Sequence, residues 1–180
     1  MRVKLVTLIL GAACLTSVLL GCNGGTSEGE AVTHYHAGVG TQDEGRLQER
    51  IEEYDQVIRL SPQDANAYLT RGNAFNDLEQ YQRAIEDYGE AIRLDPDLAL
   101  AYNNRAITFL NMGSYQRALQ DLDKAVRLDP QYAQAYTYRA ISNTYLGNDA
   151  EAQQDVDRGV EVGLDRAAIE AALVRIQSIR

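Results

Sequence analysis

Three arginines and three aspartates recur at a constant spacing and are the clearest candidates for charged chemistry in this sequence. Each arginine precedes an aspartate by the same interval, and the pairs themselves recur with one constant period: Arg71 with Asp87, Arg105 with Asp121, and Arg139 with Asp155. A guanidinium beside a carboxylate forms charge-assisted hydrogen bonds, so we expect three structural ion pairs. The alternative is that the arginines form a ladder that binds anions. Each arginine already has an aspartate that can neutralise its charge, which argues against this alternative.

The sequence contains no residue pattern typical of catalysis or of a metal site. We find no nucleophile–base set, no glycine-rich phosphate loop and no zinc-spaced cluster of cysteine and histidine. His34 and His36 are the two histidines, and the two cysteines, Cys14 and Cys22, both lie within the first 22 residues, so no structural metal site is expected from them. Adjacent carboxylates such as Glu52 and Glu53 are expected to form a solvated helix face. We therefore expect a protein that is not an enzyme and has no metal or cofactor.

The composition favours a folded protein that does not bind nucleic acid. The 180 residues are 45% apolar and 24% charged, enough for one domain with a hydrophobic core. Seventeen Lys and Arg against 26 Asp and Glu leave a net charge of −9. Binding a phosphate backbone requires clustered cations, so nucleic acid is not expected as a partner of this acidic chain.

The N-terminus resembles an export signal with a lipid-attachment site. Arg2 and Lys4 precede an uncharged apolar-rich run over residues 5–20, the pattern of a signal peptide. Leu19-Leu20-Gly21-Cys22 resembles the lipobox of bacterial lipoproteins, which implies cleavage before Cys22 and a lipid on its sulfur. The expected location is the periplasmic face of an outer membrane where the cell has one, and otherwise the outer face of the cytoplasmic membrane. An uncleaved signal anchor and ordinary secretory cleavage are the alternatives, and both also predict export.

The rest of the chain is an internal repeat. The segment AYLTRGNAFNDLEQYQRAIEDYGEAIRLDP over 67–96 returns over 101–130 as AYNNRAITFLNMGSYQRALQDLDKAVRLDP, and more weakly over 135–164 as AYTYRAISNTYLGNDAEAQQDVDRGVEVGL. Within a unit, apolar residues recur at helical spacing on two segments, with a turn near Glu79 and Gln80. In an antiparallel helix pair closed by that turn, Gly72 should face Tyr88, a small residue against a large one.

The residue types at fixed positions of this period resemble the tetratricopeptide repeat. In the first clear unit the signature comprises Tyr68, Gly72, Phe75, Ala84, Tyr88, Ala91 and Pro96. The resemblance implies an all-α fold, a right-handed α-solenoid of stacked helix-turn-helix units with a C-terminal capping helix. Asp95-Pro96 and Asp129-Pro130 are expected to end one helix and to open and cap the next.

These patterns divide the chain into seven segments. They are a lipoprotein signal peptide (1–21), a flexible tether with a degenerate repeat start (22–44), a partial repeat helix (45–64), three repeats (65–98, 99–132 and the degenerate 133–166) and a capping helix (167–180).

The resemblance also implies a peptide-binding groove formed by the first helix of each repeat. Carried over by position, the groove residues, here called the inner surface, are Asn66, Leu69, Asn73, Asn76, Asn103, Asn104, Ile107, Leu110, Asn111, Thr137, Ile141 and Tyr145. Its asparagines match a binding mode in which amides hold a peptide backbone through paired donors and acceptors. A carboxylate clamp is not expected, because Leu69, Gln134 and Tyr138 stand where that clamp requires cations.

The function predicted from the sequence is a lipid-anchored, non-catalytic adaptor that binds a peptide segment of another cell-envelope protein. Its partners would be that protein and, through Cys22, a lipid membrane. The alternative is a self-associating structural subunit, in which this chain pairs with another copy.

Overall fold

The computed structural model describes residues 44–178, and within that range the chain is helical with no strand. The helices are α1 (Glu44–Leu60), α2 (Ala65–Asp77), α3 (Tyr81–Leu94), α4 (Ala99–Asn111), α5 (Tyr115–Leu128), α6 (Ala133–Leu146), α7 (Asp149–Glu161) and α8 (Arg166–Gln177). The predicted signal peptide, Cys22 and nearly all of the predicted tether lie outside the described residues. None of the described helices is long and apolar enough to cross a membrane.

The helices stack as pairs, which confirms the predicted solenoid. Helices α2 and α3, α4 and α5, and α6 and α7 pack against each other within the three repeats. Each second helix also packs against the first helix of the next repeat, and the first helices touch one another along the stack. Helix α1 covers the open side of α2, while α8 packs on α6 and α7 as the predicted cap.

The pairing of small with large residues sets how closely the helices of a repeat approach. A Cβ at Gly72 would lie only 2.9 Å from Cε1 of Tyr88, so the predicted Gly72–Tyr88 contact is present and requires glycine. The alanines that face this seam, such as Ala84 and Ala91, are fully buried. A larger side chain at any of these positions would push the two helices apart.

The turn between the two helices of each repeat requires a left-handed backbone. Gly113 and Gly147 hold φ values of 73° and 85°, and Glu79 occupies the same repeat position with φ 57°. Glycine adopts this conformation without steric cost, whereas glutamate does not. The predicted turn near Glu79 is therefore correct, but the first repeat forms it with a less suitable residue.

The aspartates before the prolines do not cap the following helix, so that expectation was wrong. Asp95 follows the last residue of α3, and its Oδ1 accepts from the Asp97 backbone N–H at 3.1 Å. Helix α4 begins at Ala99, four residues after Asp95, without a side-chain cap. Asp129 makes the same local bond to the Gln131 N–H at 2.9 Å. Each of these aspartates therefore stabilises the turn that joins two repeats.

Candidate functional site

The arginines of the repeat lie against their predicted aspartates, on the seam between the two helices of each unit. In all three pairs Nε and Nη2 of the arginine donate to the aspartate carboxylate, with Nε–Oδ distances of 2.8 Å for Arg71–Asp87, 2.7 Å for Arg105–Asp121 and 2.9 Å for Arg139–Asp155. The three aspartates are buried, with at most 7% of each residue exposed. Arg71 and Arg105 reach both oxygens of their aspartate in a fork-shaped geometry, which is the strong form of the interaction. Both donors of Arg139 bond to Oδ1 of Asp155, and Oδ2 accepts from Asn143.

A second aspartate, not predicted from the sequence, completes two of the three sites. Asp55 of α1 accepts from Nη1 of Arg71 at 2.6 Å, and Asp123 of α5 accepts from Nη1 of Arg139 at 3.0 Å. Both aspartates lie upstream of their arginine by the same interval and belong to the preceding helix of the stack. Arg71 and Arg139 therefore link two successive helix pairs. We call this row of arginines and aspartates the ion seam.

The pKa values of the seam arginines are raised by their acidic partners. For Arg71 and Arg105 the hydrogen bonds to Asp87 and Asp121 are the largest cause of the upward shift. For Arg139 burial acts in the opposite direction, and the bonds to Asp155 together with the charges of both acids outweigh it. Burial also raises the pKa of Asp155 despite its partner. These guanidinium groups remain charged and are held as structural cations.

The inner surface is more buried than a solvent-filled groove would be. Among its residues only Asn66 is exposed, whereas Asn76, Ile107 and Tyr145 are half-buried. The buried members of the set are Leu69, Asn73, Asn103, Asn104, Leu110, Asn111, Thr137 and Ile141. Sequence position alone did not predict this burial.

A chain of amide hydrogen bonds joins the first and second repeats on the inner surface. Asn104 Nδ2 donates to Asn73 Oδ1 at 2.9 Å, and the Tyr88 hydroxyl donates to the same oxygen at 2.8 Å. Asn103 Nδ2 in turn donates to Asn104 Oδ1 at 3.2 Å. One turn further on, the Thr108 hydroxyl donates to Oδ1 of Asn76 at 2.9 Å. Several predicted ligand-binding amides therefore also cross-link the repeats.

The two ends of this amide chain are open. Asn73 Nδ2 and Asn103 Oδ1 are buried and have no hydrogen-bond partner in the described structure. One is a donor and the other an acceptor, the same complement that a peptide group offers. A buried polar atom left without a partner costs about 1–3 kcal/mol, so a ligand that satisfied both atoms would recover that energy.

The third repeat contributes an aromatic stack to the inner surface. The rings of Tyr145 in α6 and Tyr115 in α5 are stacked with centroids 4.1 Å apart and planes 3° apart. The neighbouring Ile141 is part of the larger apolar core, which runs from α4 to α8. This end of the inner surface is therefore more apolar than the amide chain.

The structure of residues 44–178 contains no group of three or more histidine, cysteine, aspartate or glutamate side chains that could hold a metal ion. His34, His36 and Cys22 lie outside that range.

Comparison with known proteins points to one family. A family model described as TPR repeat matches residues 72–113, and one described as tetratricopeptide repeat matches residues 99–132. No curated protein matches the chain.

Solved structures agree with the family models. The second TPR of Spaghetti (RPAP3), bound to the HSP90 peptide SRMEEVD, is similar with 36% identity and a TM-score of 0.54, over 54% of this chain and 91% of that one. The second TPR domain of human RPAP3, in complex with the HSP70 peptide SGPTIEEVD, has 30% identity and a TM-score of 0.58, over 63% and 98%. The Arabidopsis OM64 TPR domain has 28% identity and a TM-score of 0.59, over 64% and 96%. The chain belongs to the tetratricopeptide-repeat family.

Proposed function

We propose that this protein is a non-catalytic adaptor that binds a peptide segment of a partner protein on its inner surface. The observation that carries the proposal is the open donor of Asn73 and the open acceptor of Asn103 at the two ends of the amide chain. A peptide carbonyl would accept from Asn73 Nδ2, and a peptide N–H would donate to Asn103 Oδ1. Because every residue of a peptide except proline offers both groups, recognition by this pair would tolerate many sequences.

Similarity to peptide-bound structures supports this proposal at the level of the fold. Two of the similar domains are bound to HSP90 or HSP70 peptides that end in Glu-Glu-Val-Asp. In this chain Leu69 is a buried leucine, and Gln134 and Tyr138 are also uncharged, at the positions where a carboxylate clamp would have cations. We therefore propose that the ligand is held by its backbone and not by a terminal carboxylate.

The burial of the two asparagines has a kinetic consequence. Asn73 is 9% exposed and Asn103 is 0% exposed, so a peptide must displace the groups that shield them before it can bond to either. Binding that requires such a rearrangement is slower than rigid docking, with association rate constants below about 10⁵ M⁻¹s⁻¹. A rate in this range would indicate that the amides are reached only after the surface opens.

Capture of partners from envelope extracts tests the proposal. The chain from residue 23 onward would be compared with a variant carrying Asn73→Ala, Asn103→Ala and Asn111→Ala, and bound proteins would be identified by mass spectrometry. We expect a partner protein to bind the unsubstituted chain and not the triple variant. The peptide SRMEEVD, added to the same material, is expected not to bind, since the clamp cations are absent.

A matched control separates loss of the site from loss of the fold. Gln56→Ala, Gln116→Ala and Gln120→Ala remove three exposed amides on α1 and α5 and should leave capture unchanged. Because Asn73 takes part in the amide chain, thermal melting of each variant is needed beside the capture result. Equal capture by folded inner-surface and control variants would overturn the proposed site. If the only protein captured is another copy of this chain, and the apparent size of the complex falls on dilution, the self-associating subunit is favoured instead.

We also propose that the adaptor is anchored to a bacterial membrane through a lipid on Cys22. The support is the basic start, the apolar run and the Leu19-Leu20-Gly21-Cys22 sequence. Two or more acyl chains would anchor the chain stably, whereas one would not. Cys22→Ser is expected to release the protein from membranes. Membrane retention of that variant with an uncleaved mass would indicate a signal anchor and overturn the lipid assignment.

A further inference from the structure

One position of the ion seam differs from its equivalents in the other repeats. The residues at the equivalent position of successive second helices are Asp55, Gly89, Asp123 and Asp157. Asp55 and Asp123 accept from Arg71 and Arg139, as described above, and Asp157 accepts from Nη2 of Arg166 at 2.8 Å. Gly89 has no side chain with which to complete the site of Arg105.

Arg105 consequently keeps one open donor group. Its Nε and Nη2 are bonded to Asp121 at 2.7 and 2.8 Å, while Nη1 has no hydrogen bond in the described structure. A Cβ at Gly89 would lie 3.8 Å from Nη1, so the open donor faces the place that an aspartate fills in the other repeats. About a quarter of the Arg105 side chain is accessible, at 23%.

No packing constraint explains the glycine. At Gly72 and Gly159 a Cβ would lie 2.9 and 2.8 Å from a neighbouring side-chain carbon, whereas at Gly89 the nearest atom is Nη1 of Arg105. Gly89 lies inside helix α3 and its φ is not in the left-handed region, so alanine would fit there. Glycine inside a helix costs about 1 kcal/mol relative to alanine. The one local effect of the glycine that the structure displays is the space beside Nη1.

A second cation, Lys124, lies against the same aromatic ring as Arg105. Nζ of Lys124 lies 5.8 Å from the centroid of the Tyr102 ring, and Cζ of Arg105 lies 5.9 Å from the same centroid. Lys124 has no ion pair in the described part of the chain, and both carboxylate oxygens of Asp121 are already bonded to Arg105. Arg105 therefore has one carboxylate partner, whereas Arg71 and Arg139 each have two.

We infer that Arg105 Nη1, in the space left by Gly89, is a binding site for a carboxylate from an acidic side chain of another polypeptide. The ligand would complete the same aspartate–arginine–aspartate bridge that Asp55 and Asp123 complete internally. This site lies on the ion seam and does not involve the inner-surface amides. Its test is therefore independent of the test of the proposed peptide groove.

Titration of the full ¹⁵N-labelled chain with short peptides tests the site. The probe is acetyl-Gly-Glu-Gly-amide, the neutral comparison is acetyl-Gly-Gln-Gly-amide, and the readout is the Arg105 Nε–H resonance at low ionic strength. We expect the glutamate peptide to shift this resonance and to bind at least about tenfold more tightly than the glutamine peptide. Equal shifts from the two peptides would overturn the proposal.

Substitutions at Gly89 provide matched variants that leave the seam residues intact. Gly89→Asp supplies an internal carboxylate and is expected to weaken glutamate-peptide binding at least about tenfold, because the donor is then occupied. Gly89→Asn, with a side chain of similar size and no charge, is expected to weaken it much less. Equal binding by these two variants would overturn the proposal, and their melting curves would verify that both are folded.

Sedimentation of the unmodified chain identifies the source of the carboxylate. If a second copy supplies it, Gly89→Asp will convert a concentration-dependent dimer into a monomer. If another protein supplies it, the unmodified chain will be monomeric and still bind the glutamate peptide. Both results support the site. A chain that neither dimerises through Gly89 nor binds the glutamate peptide would refute it.

Discussion

The ion seam and the inner surface join neighbouring helices in opposite chemical ways. On the seam, Arg71 and Arg139 each bridge two aspartates and use all three of their donor positions. On the inner surface, neutral amides form a chain that ends in an open donor at Asn73 and an open acceptor at Asn103. The donor nitrogens of Arg71 and Arg139 therefore all have partners, whereas the two end atoms of the amide chain have none in the described structure.

The difference follows from the energy of leaving each kind of group unpaired. A buried charge without its partner costs several kcal/mol, whereas an unpaired buried amide atom costs about 1–3 kcal/mol. A repeat protein can therefore keep amides open for a ligand with little loss of stability. Arg105 is the exception on the seam, and its open Nη1 is tolerated because the side chain remains 23% accessible.

The largest effect is expected from breaking the closed seam at Arg139. Arg139→Leu leaves Asp155, a residue that is only 3% exposed, with the neutral amide of Asn143 as its remaining side-chain partner. We expect a loss of about 3–4 kcal/mol in the free energy of unfolding, because the buried carboxylate loses its only charged partner. Arg105→Leu strands Asp121 alone and should lose about 3 kcal/mol. Chemical denaturation of each variant measures these changes.

The control for these variants is an exposed ion pair. Arg93 and Glu90 lie one turn apart on α3, with 59% and 35% of their side chains accessible. Arg93→Leu should change the free energy of unfolding by less than about 0.5 kcal/mol, since exposed pairs contribute little. Equal losses for Arg93→Leu and Arg139→Leu, or an unchanged melting temperature for Arg105→Leu, would contradict the structural role of the seam.

An intermediate effect is expected from interrupting the amide chain. Asn104→Ala removes the bond to Asn73 and leaves Nδ2 of Asn103 without its acceptor. The expected loss is about 2 kcal/mol, from the unpaired amide and the small cavity. Asn66→Ala, at the exposed end of the same surface, should change stability by less than about 0.5 kcal/mol. Similar losses for the two variants would mean that the amide chain does not stabilise the repeat interface.

The sequence predicts contacts within a repeat better than contacts between repeats. Arg71 and Asp87 lie equally far from the same turn, so their pairing follows from the symmetry of an antiparallel hairpin. The bond from Arg71 to Asp55 crosses from one helix pair to the previous one, and it depends on the stacking angle. The regular position of an aspartate upstream of the arginine is present in the sequence, but without that angle it does not predict a contact.

The inner surface illustrates the same limit. Repeat position assigns Asn73 of α2 and Asn104 of α4 to the predicted groove, because helical periodicity determines the direction in which a side chain points. It does not predict that Asn104 bonds to Asn73, since that requires the first helices to touch. The aspartate caps failed for a related reason. Asp95 and Asp129 bond to the turn that follows them and not to the next helix, which begins further along.

Alanine substitutions at Gly89 and Gly72 should have smaller effects on the free energy of unfolding, and the two effects should have opposite signs. The contrast distinguishes a glycine beside open space from a closely packed one. Gly89→Ala should raise the free energy of unfolding by about 1 kcal/mol, because alanine is the better helix former and its Cβ meets nothing closer than 3.8 Å. Gly72→Ala should lower it by about 1–3 kcal/mol, because its Cβ would lie 2.9 Å from Tyr88. Denaturant midpoints for both variants test the contrast. Destabilisation by Gly89→Ala would show that the seam is closely packed there.

The smallest effect concerns Asp77, an acid at the C-terminal end of α2 with no arginine bonded to it. Burial of its carboxyl by neighbouring groups raises the pKa of Asp77 to about 6, although the charge of Arg50 and a hydrogen bond with Asn76 act to lower it. The folded chain therefore binds this proton more tightly than the unfolded chain, whose aspartates have pKa values near 3.8. Stability should fall as the pH rises from about 4 to about 6.

Asp77→Asn should remove this part of the pH dependence. Although neighbouring groups surround its carboxyl, the Asp77 residue as a whole is exposed, and solvent screening therefore keeps the effect below about 1 kcal/mol. The free energies of unfolding of the unsubstituted chain and of Asp77→Asn would be measured from pH 4 to pH 6.5. As the pH rises, the unsubstituted chain should lose stability relative to the variant. Asp97→Asn, at an exposed site in the next turn, provides the comparison for a general change in net charge. Parallel curves for the chain and Asp77→Asn would mean that this carboxyl titrates normally. In that case the C-terminal end of α2 would leave the Asp77 carboxyl as well solvated as that of an ordinary surface aspartate.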